Sequence, residues 1–205
     1  MSRWLLILSL VCSLPVVANG EEASFASPKS TMKSLLTILR DGKLNRVADC
    51  FVEPQTEAEE NILLYGLGDD TYTPAVHRVL VAKFGEKASP LGKVLASFDQ
   101  QLAVVDSMEE TTDGINGRLS VKGIDKAGLA FVKVGDDWKI ALTPGLMLRS
   151  VPPQRLATAK AVRAAYLNTI KEIEQGKFAT ADEAIQALDA RRRAAQQGGG
   201  PQPRK

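Results

Sequence analysis

Apolar residues along the chain change their spacing twice, dividing it into a helical beginning, a stranded middle and a helical end. Met32, Leu35, Leu36 and Leu39 share one face of a helix that opens at Ser27-Pro28. There a serine can cap the first free N–H groups and the proline sits where its missing N–H does no harm. Asp41-Gly42 ends this helix, and a second short one follows from Leu44, with Val47, Ala48 and Phe51 on its stripe and Pro54 closing it. From Thr56 the chain again reads as helical, with Ile62, Leu63, Tyr65 and Leu67 as its apolar content, up to the break at 66–70. A third helix is predicted from Pro74 to Phe84 on the spacing of Val76, Val79, Leu80 and Phe84, with Gly85 as terminator.

Period two takes over between Val94 and Thr143. The plainest instance is Ala127 to Leu142, AGLAFVKVGDDWKIAL, two antiparallel strands joined at Gly135-Asp136-Asp137. Trp138, Ile140 and Leu142 alternate with Lys139 and Ala141, and Gly and Asp tolerate the positive φ of tight hairpin turns. Leu95 to Val105 reads as a strand, or as a short helix followed by a strand, because Leu102, Val104 and Asp106 alternate with Ala103 and Val105. Thr111-Thr112-Asp113-Gly114 reads as a turn. Ile115 to Ile124 reads as a strand with Leu119 and Val121 on one face, and Leu146 to Val151 as a fifth strand stopped by Pro152-Pro153.

Helical spacing returns from Gln154 to Gln175, where Leu156, Ala159, Val162, Tyr166, Ile170 and Ile173 lie on one side and Gly176 ends the run. A last helix starts at Thr180, whose pairing with Glu183 is a capping-box pattern, and continues through Ile185 and Leu188. Two helices with so short a link lie antiparallel. The fold class is therefore α+β: N-terminal helices packed on a curved antiparallel sheet, followed by a C-terminal helical hairpin.

The chain's start changes the picture of where this fold works. Arg3, the apolar run Trp4 to Val11 and the small residues of Val16-Val17-Ala18-Asn19-Gly20 have the layout of a signal peptide, cut after Ala18 or Gly20. The run is too short, and too interrupted at Pro15, to span a membrane. The division expected is a signal peptide at 1–20, an α+β domain at 21–153, a helical hairpin at 154–192 and a disordered tail at 193–205. The destination is the periplasm or the extracellular space. Cleavage removes Cys12, so Cys50 has no partner for an intramolecular disulfide and reads as a small buried hydrophobe. The full chain carries 26 basic and 24 acidic residues; setting aside Arg3, Arg191, Arg192, Arg193, Arg204 and Lys205 leaves 20 basic groups against 24 acidic ones in residues 21–190. A mildly acidic body is not the basic face of a nucleic-acid-binding domain.

The stretch Ser27-Pro28-Lys29-Ser30-Thr31-Met32-Lys33-Ser34-Leu35-Leu36, then Asp41-Gly42-Lys43-Leu44 and Val47-Ala48-Asp49-Cys50-Phe51, and finally Gly135-Asp136-Asp137-Trp138-Lys139-Ile140, resembles exported members of the nuclear transport factor 2-like superfamily, the cystatin-like cone. The resemblance implies a first helix packed on the concave face of the sheet with a pocket between them. It also implies that the fold can host isomerase-like or cyclase-like enzymes. The helical stretch 56–86 and the hairpin after Pro153 are additions to that pattern, either of which could cover the cone.

Such an enzyme needs a carboxylate or histidine base in the hollow with a hydrogen-bond donor opposite. Asp99, Asp106 and His77 are the candidate bases and Tyr65, Tyr72 and Tyr166 the candidate donors; none sits in a recognisable catalytic motif, so no residue is assigned a catalytic role. The residues expected to line a pocket are Tyr65, His77, Asp106 and Trp138. One histidine and one mature cysteine do not make a structural zinc site, and phosphate-binding loops and the nucleophile elbow are missing from the sequence. No metal and no cofactor are expected. The expected function is that of an exported module binding a small apolar ligand or a protein partner, with no nucleic-acid partner, no membrane span after cleavage, and self-association into a homodimer through the sheet or the C-terminal helices. The alternatives are an isomerase-like or cyclase-like enzyme and a structural envelope protein.

Overall fold

Six α-helices, one 3-10 helix and a four-stranded sheet make up the described part of the computed structural model, which covers residues 23–66, 68–86, 89–123, 128–142 and 153–197. The expected signal peptide and the expected strand from Leu146 to Val151 lie outside these residues.

Helix α1 (Pro28–Arg40) is fixed at both ends by local chemistry. Ser27 accepts the Ser30 N–H while the Ser30 hydroxyl answers the Ser27 backbone, a reciprocal cap in which serine replaces the usual glutamate. At the other end Gly42 N–H bonds the Leu39 carbonyl and Lys43 N–H the Ile38 carbonyl, both at 2.9 Å, with Gly42 at φ +65°. This is the double closure that a left-handed glycine permits. The 3-10 helix Leu44–Cys50 buries Val47 and Cys50. Helix α2 (Glu57–Gly66) follows, and α3 (Asp69–Phe84) starts five residues earlier than its proline suggested. Pro74 therefore lies inside α3, beyond the first turn in which its missing N–H would be harmless.

The largest departure from the sequence reading is α4 (Gly92–Ser107), a continuous helix where a strand was expected through Val105. Phe98 and Val105 are buried and Leu102 half-buried, a spacing of four and three that belongs to a helix, whereas Val104 and Asp106 of the apparent alternation are exposed. The second departure is β1 (Glu109–Thr112), whose Thr111 and Thr112 were expected in a turn. All four of its residues are exposed, so no buried face marked it as a strand. The turn proper is centred on Gly114, and the Asp113 carboxylate accepts the N–H groups of Ile115 (3.2 Å) and Asn116 (2.7 Å). These bonds hold that exposed carboxyl below the usual range.

Strands β2 (Asn116–Ser120), β3 (Gly128–Val134) and β4 (Asp137–Ile140) complete an antiparallel meander in the order β1-β2-β3-β4. The β3–β4 hairpin turns at Gly135 and Asp136, with Gly135 at φ +63° and Val134 opposite Asp137. Leu119, Phe131, Trp138 and Ile140 meet Leu35, Leu36 and Leu39 of α1 and Phe98 and Val105 of α4 in one core. The outer edge of β4 is covered: Trp138 N–H donates to the Phe25 carbonyl (2.8 Å) and Val52 N–H to the Ile140 carbonyl (3.0 Å).

A second core is purely helical. Helix α5 (Pro153–Glu174) and α6 (Ala181–Gln197) form the expected hairpin, turned at Gly176. The Thr180 hydroxyl accepts the Glu183 N–H, and the Glu183 carboxylate reaches the N–H of Ala179, one residue outside the cap. Val162, Tyr166, Ile173 and Leu188 pack on Tyr72, Val76, Val79 and Leu80 of α3. The hairpin thus seats on α3, and α6 continues to Gln197, so residues 193–197 are helical where a tail was expected.

Candidate functional site

The residues singled out from sequence occupy different places in this architecture. Trp138 is 6% exposed and lies in the sheet core, where a Cβ added at Gly117 would come within 2.8 Å of its ring and 2.6 Å of Pro28. His77 is half-buried on α3, with Nδ1 2.8 Å from the Ser89 hydroxyl, which also accepts the Leu91 N–H at 3.4 Å. It ties α3 to the segment entering α4. Tyr65 belongs to α2, and its side chain is outside the described set. Tyr72 and Tyr166 stack with centroids 5.4 Å apart, joining α3 to α5.

Asp99 and Asp106 have a different task from the one their position in the sequence suggested. Both are exposed on α4, seven residues apart, and both pair with α1: Asp106 with Lys33 and Asp99 with Arg40 at 3.1 Å. Lys33 and Arg40 are themselves seven residues apart, so the two ion pairs lace antiparallel helices one above the other. A carboxylate held in this way on the surface is solvated and paired, unlike the desolvated base that proton abstraction asks for. Of the expected pocket set, His77, Asp106 and Trp138 line none of the described clefts, and Tyr65 lies outside the described side chains.

The arginines near the end of the chain are also spoken for. Arg191 donates to the Thr169 hydroxyl (3.0 Å) and pairs with Glu172 (2.8 Å), which joins α6 to α5. Arg192 lies over the Tyr166 ring at 5.4 Å. Cys50 is fully buried, and burial, reinforced by Asp49, pushes its thiol up to about 12. It is a packing residue. Among the described residues no group of three or more His, Cys, Asp or Glu side chains is placed to hold a metal ion, and no helix is long and apolar enough to cross a membrane.

What the fold does build is a cleft of about 140 Å³ on the outer side of α1, between the segment 23–24 and the 3-10 helix. One wall is a hydroxyl stripe at helical spacing, Ser30, Ser34 and Thr37; another carries Lys33, Lys43 and Arg46 with Asp41. Ser34 holds the chain's first described residues in place, accepting the Ser24 N–H and donating to the Ser24 carbonyl, both at 2.8 Å. A neighbouring depression around the start of α1 shares Ser30 and Lys33, and there the Glu110 carboxylate accepts the Lys29 N–H (2.7 Å) and the Ser27 hydroxyl (3.0 Å). A third depression lies on the hairpin, along Asn168, Lys171, Gln175 and Lys177.

Comparison with family models, curated proteins and solved structures gives no match.

Apolar periodicity does not mark this cleft, because its walls are the polar side of α1. The signal was present in the hydroxyls at positions 30, 34 and 37, which repeat at helical spacing as the leucines of the core face do. Their neighbours Lys43 and Arg46 come from the next element, and only the tight turn at Gly42 folds them back beside the stripe.

Proposed function

We propose that this protein is an exported binding module that takes its ligand at the surface cleft on α1. Export rests on Arg3, the apolar run from Trp4 and the small residues up to Gly20. Residues 21–153 are read as a cone of the nuclear transport factor 2-like kind whose interior is occupied by its own side chains. The observation that carries the reading is the packing between α1 and the sheet. Leu119 is 0%, Phe131 1% and Ile140 5% exposed, and none of them enters the wall of a described cleft. Ligand sites are concave and carry a few convergent polar groups, a description that the α1 cleft meets and the filled interior does not.

Native mass spectrometry of the protein purified from the cell envelope tests this. The expected result is a noncovalent small-molecule mass that is lost on denaturation and absent from the Arg46→Gln variant. A bound mass that survives Arg46→Gln, or a bare protein, would count against it.

A further inference from the structure

The groups left unspent in the α1 cleft are cationic donors and one hydroxyl that can donate, and from this we infer that its ligand carries a compact oxyanion, a phosphate or carboxylate group. The inference rests on the binding-module reading and deepens it. Three cationic side chains, Lys33, Lys43 and Arg46, stand in the wall with Asp41, and each has a carboxylate partner: Asp106 for Lys33, Asp41 for Lys43 and Asp49 for Arg46. Asp41 is already engaged by Lys43 at 2.9 Å and by Arg40 at 3.6 Å. Arg46 uses only its Nε, toward Asp49 at 3.2 Å, and among the described residues its terminal nitrogens have no partner. Each lysine ammonium has three N–H groups and spends one on its carboxylate.

The hydroxyls point the same way. Ser30 and Ser34 are consumed by the backbone of Ser27 and Ser24, each both accepting and donating. The Thr37 hydroxyl, between Ser34 and Asp41 on the cleft wall, has no hydrogen-bond partner among the described residues, its carbonyl alone being used by the Asp41 N–H at 2.9 Å. The residual inventory is thus the Arg46 fork, two ammonium groups and one hydroxyl. A ligand satisfying them must be an acceptor with several lone pairs and negative charge, because charge-assisted hydrogen bonds are the strong ones. An apolar ligand would leave these donors unsatisfied. A volume near 140 Å³ admits one such group and a short stem, not a large ring system. The Lys33–Asp106 and Arg46–Asp49 pairs are exposed and individually weak, so an incoming oxyanion displaces little there.

The test is a titration of the isotope-labelled mature protein with inorganic phosphate and, separately, acetate, at constant ionic strength set with chloride and followed by amide NMR shifts. The expected result is a saturable response centred on Thr37, Lys43 and Arg46 for at least one of the two anions; the tighter anion identifies the group. Arg46→Gln should weaken it roughly tenfold, the scale of one lost charge-assisted hydrogen bond. Lys177→Gln, in the hairpin depression, should leave it unchanged, and unchanged shifts away from α1 show that both variants are folded. Shifts that follow ionic strength alone, or a response that survives Arg46→Gln combined with Thr37→Val, overturn the inference. If the native adduct depends on Arg46 while neither anion binds, the oxyanion assignment falls and the binding module stands.

Discussion

Replacing Gly42 with alanine should be among the most damaging single-methyl changes in this chain, and the structure divides the damage into two parts. The first is conformational. Gly42 sits at φ +65°, where an L-residue with a Cβ loses about 1–2 kcal/mol. The second is steric: the added Cβ would lie 2.7 Å from the Ala75 Cα, 2.9 Å from the Ala75 nitrogen and 3.1 Å from the Pro74 carbonyl carbon. These are backbone atoms of α3 and cannot swing aside as a side-chain tip does, so overpacking adds about 1–3 kcal/mol. Gly176 supplies the control. It closes α5 with the same pair of bonds and a similar φ of +70°, yet the nearest atom to its added Cβ is the mobile Lys83 Nζ at 3.3 Å. Gly176→Ala should therefore report the conformational part alone. Urea unfolding followed by Trp138 fluorescence measures both, as a fall in midpoint with unchanged slope. A total loss of about 3 kcal/mol at Gly42 corresponds to a Tm lower by about 6–12 °C for a chain of this size. If Gly42→Ala costs no more than Gly176→Ala, the contact between the α1 terminus and α3 is not the close approach described here.

Cys50 should resist an aromatic disulfide reagent in the folded protein at pH 8 and react fully in denaturant. Because its folded pKa, about 12, exceeds the ordinary value of 9.0, the unfolded chain releases this proton first, and the thiol's contribution to stability is lost as pH rises between those values. Thr31→Val should cost about 1–3 kcal/mol in the same urea assay, since the buried Thr31 hydroxyl serves the Trp138 carbonyl at 2.8 Å and valine would leave that acceptor unpaired. An unchanged midpoint would mean that another group reaches the carbonyl. Deleting residues 154–205 should expose Tyr72, Val76 and Leu80 and drive association visible by size-exclusion chromatography. A truncated protein that stayed monomeric and equally stable would make the hairpin a detachable appendage.

The elements with local punctuation were legible in the sequence. Ser27-Pro28 marks the start of α1, Gly135 the β3–β4 turn, and Thr180 with Glu183 the start of α6, because caps and tight turns are chemistry between near neighbours. The elements whose identity is tertiary were not. Leu102, Val104 and Asp106 satisfy period two on paper, and only the burial of Phe98 and Val105 against α1 shows that the period of α4 is helical. β1 is an edge strand with both faces in water, so it carries no hydrophobic period to read. Asp99 and Asp106 read as candidate bases in the sequence; with α4 a helix, their seven-residue spacing matches that of Lys33 and Arg40.

Helix α3 explains why an added hairpin need not be a separate unit. One side of α3 gives Tyr72, Val76 and Leu80 to the helical core, while its Ala75 backbone supports the turn at Gly42 and His77 holds the entry to α4 through Ser89. A helix of 16 residues seldom stands alone in water, because most helical stability comes from packing an apolar face. Without α5 and α6, α3 loses the partner of that face. Gly42 then loses the wall it turns against, and with it the arrangement that folds Lys43 and Arg46 back beside the hydroxyl stripe. Among the described residues none of the hairpin lines the α1 cleft, yet the cleft's geometry depends on the hairpin through α3.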